Sequence, residues 1–545
     1  MHLPACPAAL LESKYMVTLK SIAADSKGFA AKNLINSLKS EHTQAVSNAM
    51  LIRALEEMGL QRDDPRLSSL FEKLDKMPGS GTLDEDGLRS LLGEVEASLV
   101  GRALSGSLII PAFEEFRDQL NSIFETCRGE SSGSVASYIP QLARVDPEKF
   151  AMAVCTIDGQ RHSIGDDQDR FCVQSTCKPV NYAIAHGLSN ADSIHNHVGR
   201  EPSGRSFNEL TLNPAGLPHN PMINAGAIMA SSLIKPRESL ADRFDFVMST
   251  WRDLGGGVEP GFDNTVFLSE KATADRNFAL AYFMRENGAF PPNTDLMETL
   301  DFYFQCCSIS IDVRHMATIA ATLANGGVCP TTNQRVLDAE AVRNCLSLMY
   351  SCGMYDYSGE FAFTVGIPAK SGVSGALMLV IPGVCGIAIW SPRLDRCGNS
   401  VRGVRFAQEL SKRYSFHSYA TMVPGQELID PTKSQAERVA EVASSLCSAA
   451  SVGDLGELRR LVASGADILQ ADYDGRTALH LAASEGRVGV VRFLLSIGAD
   501  AEQKDRWGNT ALADAEREGM GDAVQLLSNL KTAEPMKSRP RRKAA

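Results

Sequence analysis

A chain of 545 residues, 44% hydrophobic and 22% charged, has the composition of a globular protein with room for two to four domains. A formal net charge of −11 argues against a general binder of nucleic-acid backbone, which needs a basic face. No run reaches the roughly 20 apolar residues of a membrane-spanning helix. The 13 cysteines are scattered, with neither a CxxC pair of zinc type nor the framework of a small secreted domain, and read as reduced intracellular thiols filling cores.

In chain order, residues 1–20 hold a short apolar patch without the charged start of a secretory signal or the Arg-rich pattern of a strong transit peptide, and stay unassigned. Residues 21–109 form a helical module. AMLIRALEEMGL and RLSSLFEKL have helical periodicity, and PGSGTLDEDGLRSLL follows, so two helices around a Gly-rich loop give an EF-hand-like shape. With Gly81 at the turn of that loop, the first, third and last ligand positions fall on Lys76, Pro78 and Gly87, which offers calcium too few carboxylates. The module is expected to pack or to oligomerise.

Residues 110–425 alternate helical stretches with strand-like runs, namely FAMAVCTIDG, FAFTVGIPA and GALMLVIPGVCGIAIW. The last is broken by Pro382-Gly383 into a buried hairpin. A mixed α/β domain follows, its strands at the two ends around a mainly helical middle. Between 440 and 531 the chain repeats: Thr477, Gly475 and Gly486 recur 33 residues on as Thr510, Gly508 and Gly519. With TALHLA and the preceding GDLGELRRLVASGAD, this is an ankyrin array of about three helix pairs, which binds protein or packs on its neighbour. Residues 532–545, ending KSRPRRKAA, read as a solvated, disordered basic tail.

Two Ser-x-x-Lys matches occur, Ser175–Lys178 and Ser232–Lys235, about the number chance supplies. Context separates them. Ser175 opens a run with Val180, Ala183, Ile184, Gly187 and Leu188 on one face, which predicts a buried helix with the serine at its N-terminus. There the helix dipole favours developing negative charge, and i to i+3 spacing sets the lysine amine beside the serine oxygen. A desolvated lysine can then lose its proton near neutral pH and serve as base. Ser232–Lys235 ends a segment before Pro236 and reads as surface. Downstream, KSGVSG from Lys370 to Gly375 starts a strand. A Lys-Ser-Gly strand beside a Ser-x-x-Lys helix resembles the serine β-lactamases and penicillin-binding proteins, although their Ser-Asp-Asn element is missing.

A longer set of blocks resembles another family. YIPQLA (138–143), QSTCKP (174–179), EPSG (201–204), PHNPMINAGAI (218–228), SEKATADRNFA (269–279), DFYFQCCSI (301–309), ATLANGGVCP (321–330), SCGMYD (351–356) and PAKSGVSG (368–375) are similar to the glutaminases. With the ankyrin units they match the animal phosphate-activated kidney and liver types. The resemblance implies hydrolysis of L-glutamine on a β-lactamase-like catalytic domain, with Ser175 as nucleophile, Lys178 as its base and Tyr355 as proton relay to ammonia. It also implies substrate contacts at Tyr138, Ser175, Asn224, Glu270, Asn277, Tyr303, Tyr355 and the backbone of Val373.

Those types suit the task. An α-ammonium wants a carboxylate, an α-carboxylate wants neutral donors, and the backbone N–H groups of Ser175 and Val373 would hold an oxyanion. His195 and His197 lack metal-ligand spacing, so no metal is expected. No cofactor is implied beyond inorganic phosphate as activator. The resemblance further implies a homotetramer that assembles into larger oligomers, and a mitochondrial address; the N-terminal segment leaves a cytoplasmic one open.

One loop departs from the kidney-type pattern GLRFNKLF. This chain reads GRSFNELT over 204–211, keeping Phe207 but placing Glu209 and Thr211 where that pattern has lysine and phenylalanine. Two rival readings stay open on residues alone. One is a penicillin-recognising acyl-serine enzyme; the other is an ankyrin scaffold with an inactive domain.

Overall fold

Three strands, Ala151–Thr156 (β1), Ala376–Ile381 (β4) and Cys385–Trp390 (β5), are buried at every residue, which is why each reads as a continuous apolar run. With Arg161–Gly165 (β2) and Ala369–Ser371 (β3) they form one antiparallel sheet in the order β2-β1-β5-β4-β3. β5 sits centrally, running from Cys385 opposite Thr156 and Ile381 to Trp390 opposite Ala151 and Ala376. The hairpin turn holds Gly383 at φ +74°.

The computed structural model describes residues 46–77, 82–189, 191–204, 209–422, 428–463 and 466–532, with Lys27, Ala31, Lys32 and Ile35 in addition. The segment 1–20, Pro78, Gly81, Phe207 and the tail beyond Thr532 lie outside the described residues.

Helices cover both faces of the sheet. Val313–Ala324 lies on one so closely that a Cβ on Gly386 would come within 2.2 Å of Ala321 N. On the other, Phe113–Arg128 stacks Phe124 on Phe150 at 3.9 Å, and Val401–Arg413 brings Gly403 against Leu377 of β4. Between the sheet's two chain segments lies the helical middle expected from the sequence, together with an unexpected small sheet of Phe171–Cys172, Ile309–Ile311 and Gly261–Phe262. Strands of two or three residues carry too little pattern to be read.

FAFTVGIPA is a different matter. Phe361 and Phe363 alternate like a strand, yet Ser358–Thr364 is helical and only the last residue of the run belongs to β3. Phe361 is buried whereas Phe363 is 82% exposed, and Gly366 at φ +65° ends the helix.

The N-terminal module has its own core, including Leu51, Leu55, Leu70, Phe71, Leu74 and Leu88, and an antiparallel bridge between Val46–Ser47 and Thr82–Leu83. It forms one compact unit with the larger domain. Gln160 donates to Met58 O, Arg161 N donates to Gly59 O, and Asp158 accepts from Arg102 and from Ile109 N. Asp158→Ala removes both acceptors, and charge-assisted bonds are worth about 2 kcal/mol each. It is expected to lower the thermal midpoint and speed proteolysis within 46–110; an unchanged cleavage pattern would show that the junction does not depend on Asp158.

The second unit runs from Lys433 onward, with 419–429. Its helix pairs are Gln435–Val452 with Leu455–Ala463, Ala478–Ser484 with Val488–Ser496, and Ala511–Arg517 with Gly521–Thr532. Gly475 and Gly508, 33 residues apart, both hold positive φ.

Candidate active site

Ser175 stands on a single 3-10 turn, Gln174–Thr176, that runs directly into helix α1, Cys177–Leu188. Cys177 through His186 are all buried. The helix is therefore enclosed on every side rather than on one face, while Gly187 and Leu188, expected inside, are exposed. Val173 N donates to Ile309 O at 2.8 Å, so the small sheet fixes the approach to the turn.

Gln174 is held at φ +48° and Tyr355 at +53°. Non-glycine residues rarely enter this region, and strain of this kind gathers where a site is over-determined by its surroundings. The supporting bonds are visible. Gln174 Nε2 donates to Glu270 Oε1 at 3.0 Å. Around Tyr355, the Ser358 hydroxyl accepts from Met354 N and donates to Tyr355 O.

Lys178 is 1% exposed, and its Nζ donates to Asn224 Oδ1 at 2.6 Å. Asn224 opens the helix Asn224–Ser232 (α2) and passes its own amide to Asn277 Oδ1 at 3.1 Å. Burial pulls the amine down to about 8, because a charge without a carboxylate partner is disfavoured away from water. Burial raises the Tyr355 phenol above its ordinary range, and Ser175 beside the hydroxyl is close enough to oppose that rise.

A third group forms around Glu270, buried on Asn264–Ala272 (α3). Its carboxylate accepts from the Tyr138 hydroxyl at 2.6 Å besides Gln174. Burial raises its pKa, and the two donors oppose that. Tyr303, on Leu296–Cys307 (α4), is buried beside Cys307, whose Sγ lies 3.9 Å from Cys177 Sγ. Val373 packs near Ile139, Leu142, Cys172 and Val266. Its turn rests on the serine's turn, since a Cβ on Gly372 would stand 3.0 Å from Val173 O and 3.2 Å from Thr176.

The structure thus gathers Ser175 with Tyr355, Lys178 with Asn224 and Asn277, and Glu270 with Tyr138, while Tyr303 and Val373 border the same residues. On the Tyr355 side a cavity of about 510 Å³ is lined by Ser203, Asn220, Met222, Cys352, Tyr355 and Asp356. Three of the sequence blocks meet there. Glu209 carries its charge close enough to Asp356 to raise that carboxyl, after burial as the larger cause. Thr211 N donates to Glu209 O.

Two participants escaped sequence reasoning. Gln174 sits inside the QSTCKP block and Lys370 inside KSGVSG, with no local signal that marks either one. The other Ser-x-x-Lys pair is not at the surface as expected: Ser232 is buried and its hydroxyl donates to Met229 O. Only Lys235 reaches solvent, pairing with Glu238.

His195 contacts the Tyr182 hydroxyl and Val198 O, and His197 contacts Ala289 O. No cluster of three metal-ligating side chains occurs among the described residues. Every described cysteine is a free thiol, buried except for Cys397. No helix among the described residues is long and apolar enough to cross a membrane.

An antiparallel sheet flanked by helices, a Ser-x-x-Lys turn heading a buried helix and a Lys-Ser-Gly strand packed on that turn together define the serine β-lactamase-like class. Within it, the glutaminase model matches residues 133–419, with ankyrin repeats matching 446–538 and an EF-hand domain 30–111. The chain belongs to the glutaminase family. It is 45% identical over 473 residues to putative glutaminase 3 of Caenorhabditis elegans, covering 85% of this chain and 81% of that one. It is 46% identical over 432 residues to the mitochondrial liver isoform of glutaminase from Mus musculus, covering 78% and 72%. Among solved structures, a probable glutaminase from Bacillus subtilis complexed with 6-diazo-5-oxo-L-norleucine superposes with a TM-score of 0.51 at 32% identity, over 56% of this chain and 97% of that one.

Proposed function

We propose that the chain carries out its family's hydrolysis of the L-glutamine side-chain amide, giving glutamate and ammonia, through an acyl-enzyme on Ser175. The observation that carries this reading is Ser175 beside the Tyr355 hydroxyl, one turn from a buried Lys178 amine that donates to Asn224 and has a depressed pKa. Neutral Lys178 takes the serine proton as Oγ attacks the amide carbon. The oxyanion is held by the backbone N–H groups of Ser175 and Val373. Tyr355 relays a proton to the departing nitrogen, ammonia leaves, and water attacks the glutamyl ester by the same route in reverse. Glu270, held by the Tyr138 hydroxyl, receives the α-ammonium; Asn224, Asn277 and Tyr303 supply neutral donors to the α-carboxylate. No cofactor takes part.

Acid quenching during turnover, followed by mass spectrometry, is expected to find a glutamyl ester on Ser175. Turnover without any serine adduct would overturn the covalent route, and a stable adduct with a penicillin would favour the rival acyl-serine chemistry. Because the base must be neutral, kcat/KM is expected to climb with pH and to level off above about 8. A flat profile between pH 6 and 9 would exclude Lys178 as base.

Regulation extends the proposal. We infer a homotetramer that associates further and is activated by inorganic phosphate, in mitochondria as for the mouse and rat liver isoforms. Glu209 near Asp356 sets like charges where an anion would act, an effect that salt screens. Activation should then require more phosphate than in kidney-type relatives. Glu209→Lys with Thr211→Phe is expected to shift the phosphate titration to lower concentration; superimposable titrations would place regulation elsewhere.

A further inference from the structure

Lys370 is completely buried, and its described contacts include no carboxylate. Its Nζ donates to Gly353 O at 3.0 Å and Ser371 O at 2.7 Å, and sits 4.4 Å from the centroid of the Tyr355 ring. An amine in such a place is costly to bury, even when hydrogen-bonded, and an unbranched apolar side chain would fill the same space more cheaply. Stability of the fold therefore does not account for it.

Its contacts converge on one object, the turn that presents Tyr355. Gly353 is pressed so hard on β3 that a Cβ there would meet Ala369 O at 1.8 Å, and Ser371 N also donates to Gly353 O. Two residues on, Tyr355 holds its left-handed backbone, a conformation that persists only when neighbours enforce it. The amine touches the carbonyl at the start of this turn and the aromatic face at its end. Burial, and after it the nearby amine of Lys178, holds the Lys370 pKa well below the ordinary lysine range, so the two amines do not stabilise each other as an ion pair would.

We propose that Lys370 is a positioning residue for the reaction, gripping the Gly353 carbonyl and the Tyr355 ring so that the Tyr355 hydroxyl stays on Ser175. This rests on the role given above to Tyr355. The hydrogen bonds of Lys370 go to Gly353 O and Ser371 O, and its role runs through the tyrosine.

A double-mutant cycle tests it, using the full chain, Lys370→Met, Tyr355→Phe and both together, with rates normalised to folded protein by circular dichroism. Lys370→Met is expected to lower kcat about 10- to 100-fold, the scale of a small misplacement of a reacting group, with KM for glutamine within about threefold of the parent. In the Tyr355→Phe background it should cost nothing further, because contacts acting through one group do not add. Equal losses in both backgrounds, or an unchanged kcat in Lys370→Met, would overturn the proposal. Failure of Tyr355→Phe to lower kcat has a different signature and would overturn the role of the tyrosine instead. Should Lys370→Met not fold, Lys370→Gln runs the same cycle.

Discussion

Ser175→Ala and Lys178→Ala are each expected to lower kcat by about 10⁴-fold or more, the scale seen when one member of a catalytic unit is removed. Such a loss corresponds to about 5.5 kcal/mol of transition-state stabilisation. The double mutant should be little worse than either single one, since a serine without its base and a base without its serine are equally idle. Folding is not the cause in either case. Ser175 is only partly buried, and Lys178→Ala discards a buried amine at the cost of one partner of Asn224 Oδ1, on a residue that is itself half-buried. Thermal midpoints near that of the parent, with glutamate release abolished, would be the combined result. More than about a tenth of the parental rate in Ser175→Ala would end its assignment as nucleophile.

What was legible in the sequence follows from how far each signal depends on distant parts of the chain. The hairpin Ala376–Trp390 and the ankyrin helix pairs could be read because their apolar runs, turn residues and 33-residue period are local. Ser175–Lys178 needed context, and the resemblance of the surrounding blocks supplied it. The partners did not show themselves. Gln174 and Glu270 are 96 residues apart, and Tyr138 and Glu270 are 132 apart; nothing in either neighbourhood announces the pairing. Phe361 to Ala369 misled for a related reason, because alternation of apolar residues is a weak strand signal when one of them faces solvent. Lys370 is the clearest gap: a lysine in the short edge strand Ala369–Ser371 reads as a surface position until its burial is seen.

Glu270→Gln is expected to raise KM for glutamine about 10- to 100-fold while changing kcat much less, the effect of losing a charge-assisted bond in a partly desolvated site. The substitution is nearly isosteric. A glutamine oxygen can still accept from Tyr138 and Gln174, as the carboxylate does at 2.6 and 3.0 Å, so the local geometry survives and only the charge is lost. The sign of the pH dependence separates charge from shape. Burial raises the pKa of Glu270 in the empty site, so at low pH the group is protonated and must give up its proton before it can pair with an ammonium. KM of the parent should therefore fall as pH rises through that pKa, and in Glu270→Gln this dependence should vanish. Glutaramate, the substrate analogue without an α-amino group, completes the test: the parent should bind it far more weakly than glutamine, and the mutant should bind the two about equally. An unchanged KM in the mutant, or full discrimination against glutaramate, would mean that some other group receives the ammonium and that the bonds from Tyr138 and Gln174 to Glu270 serve the fold alone.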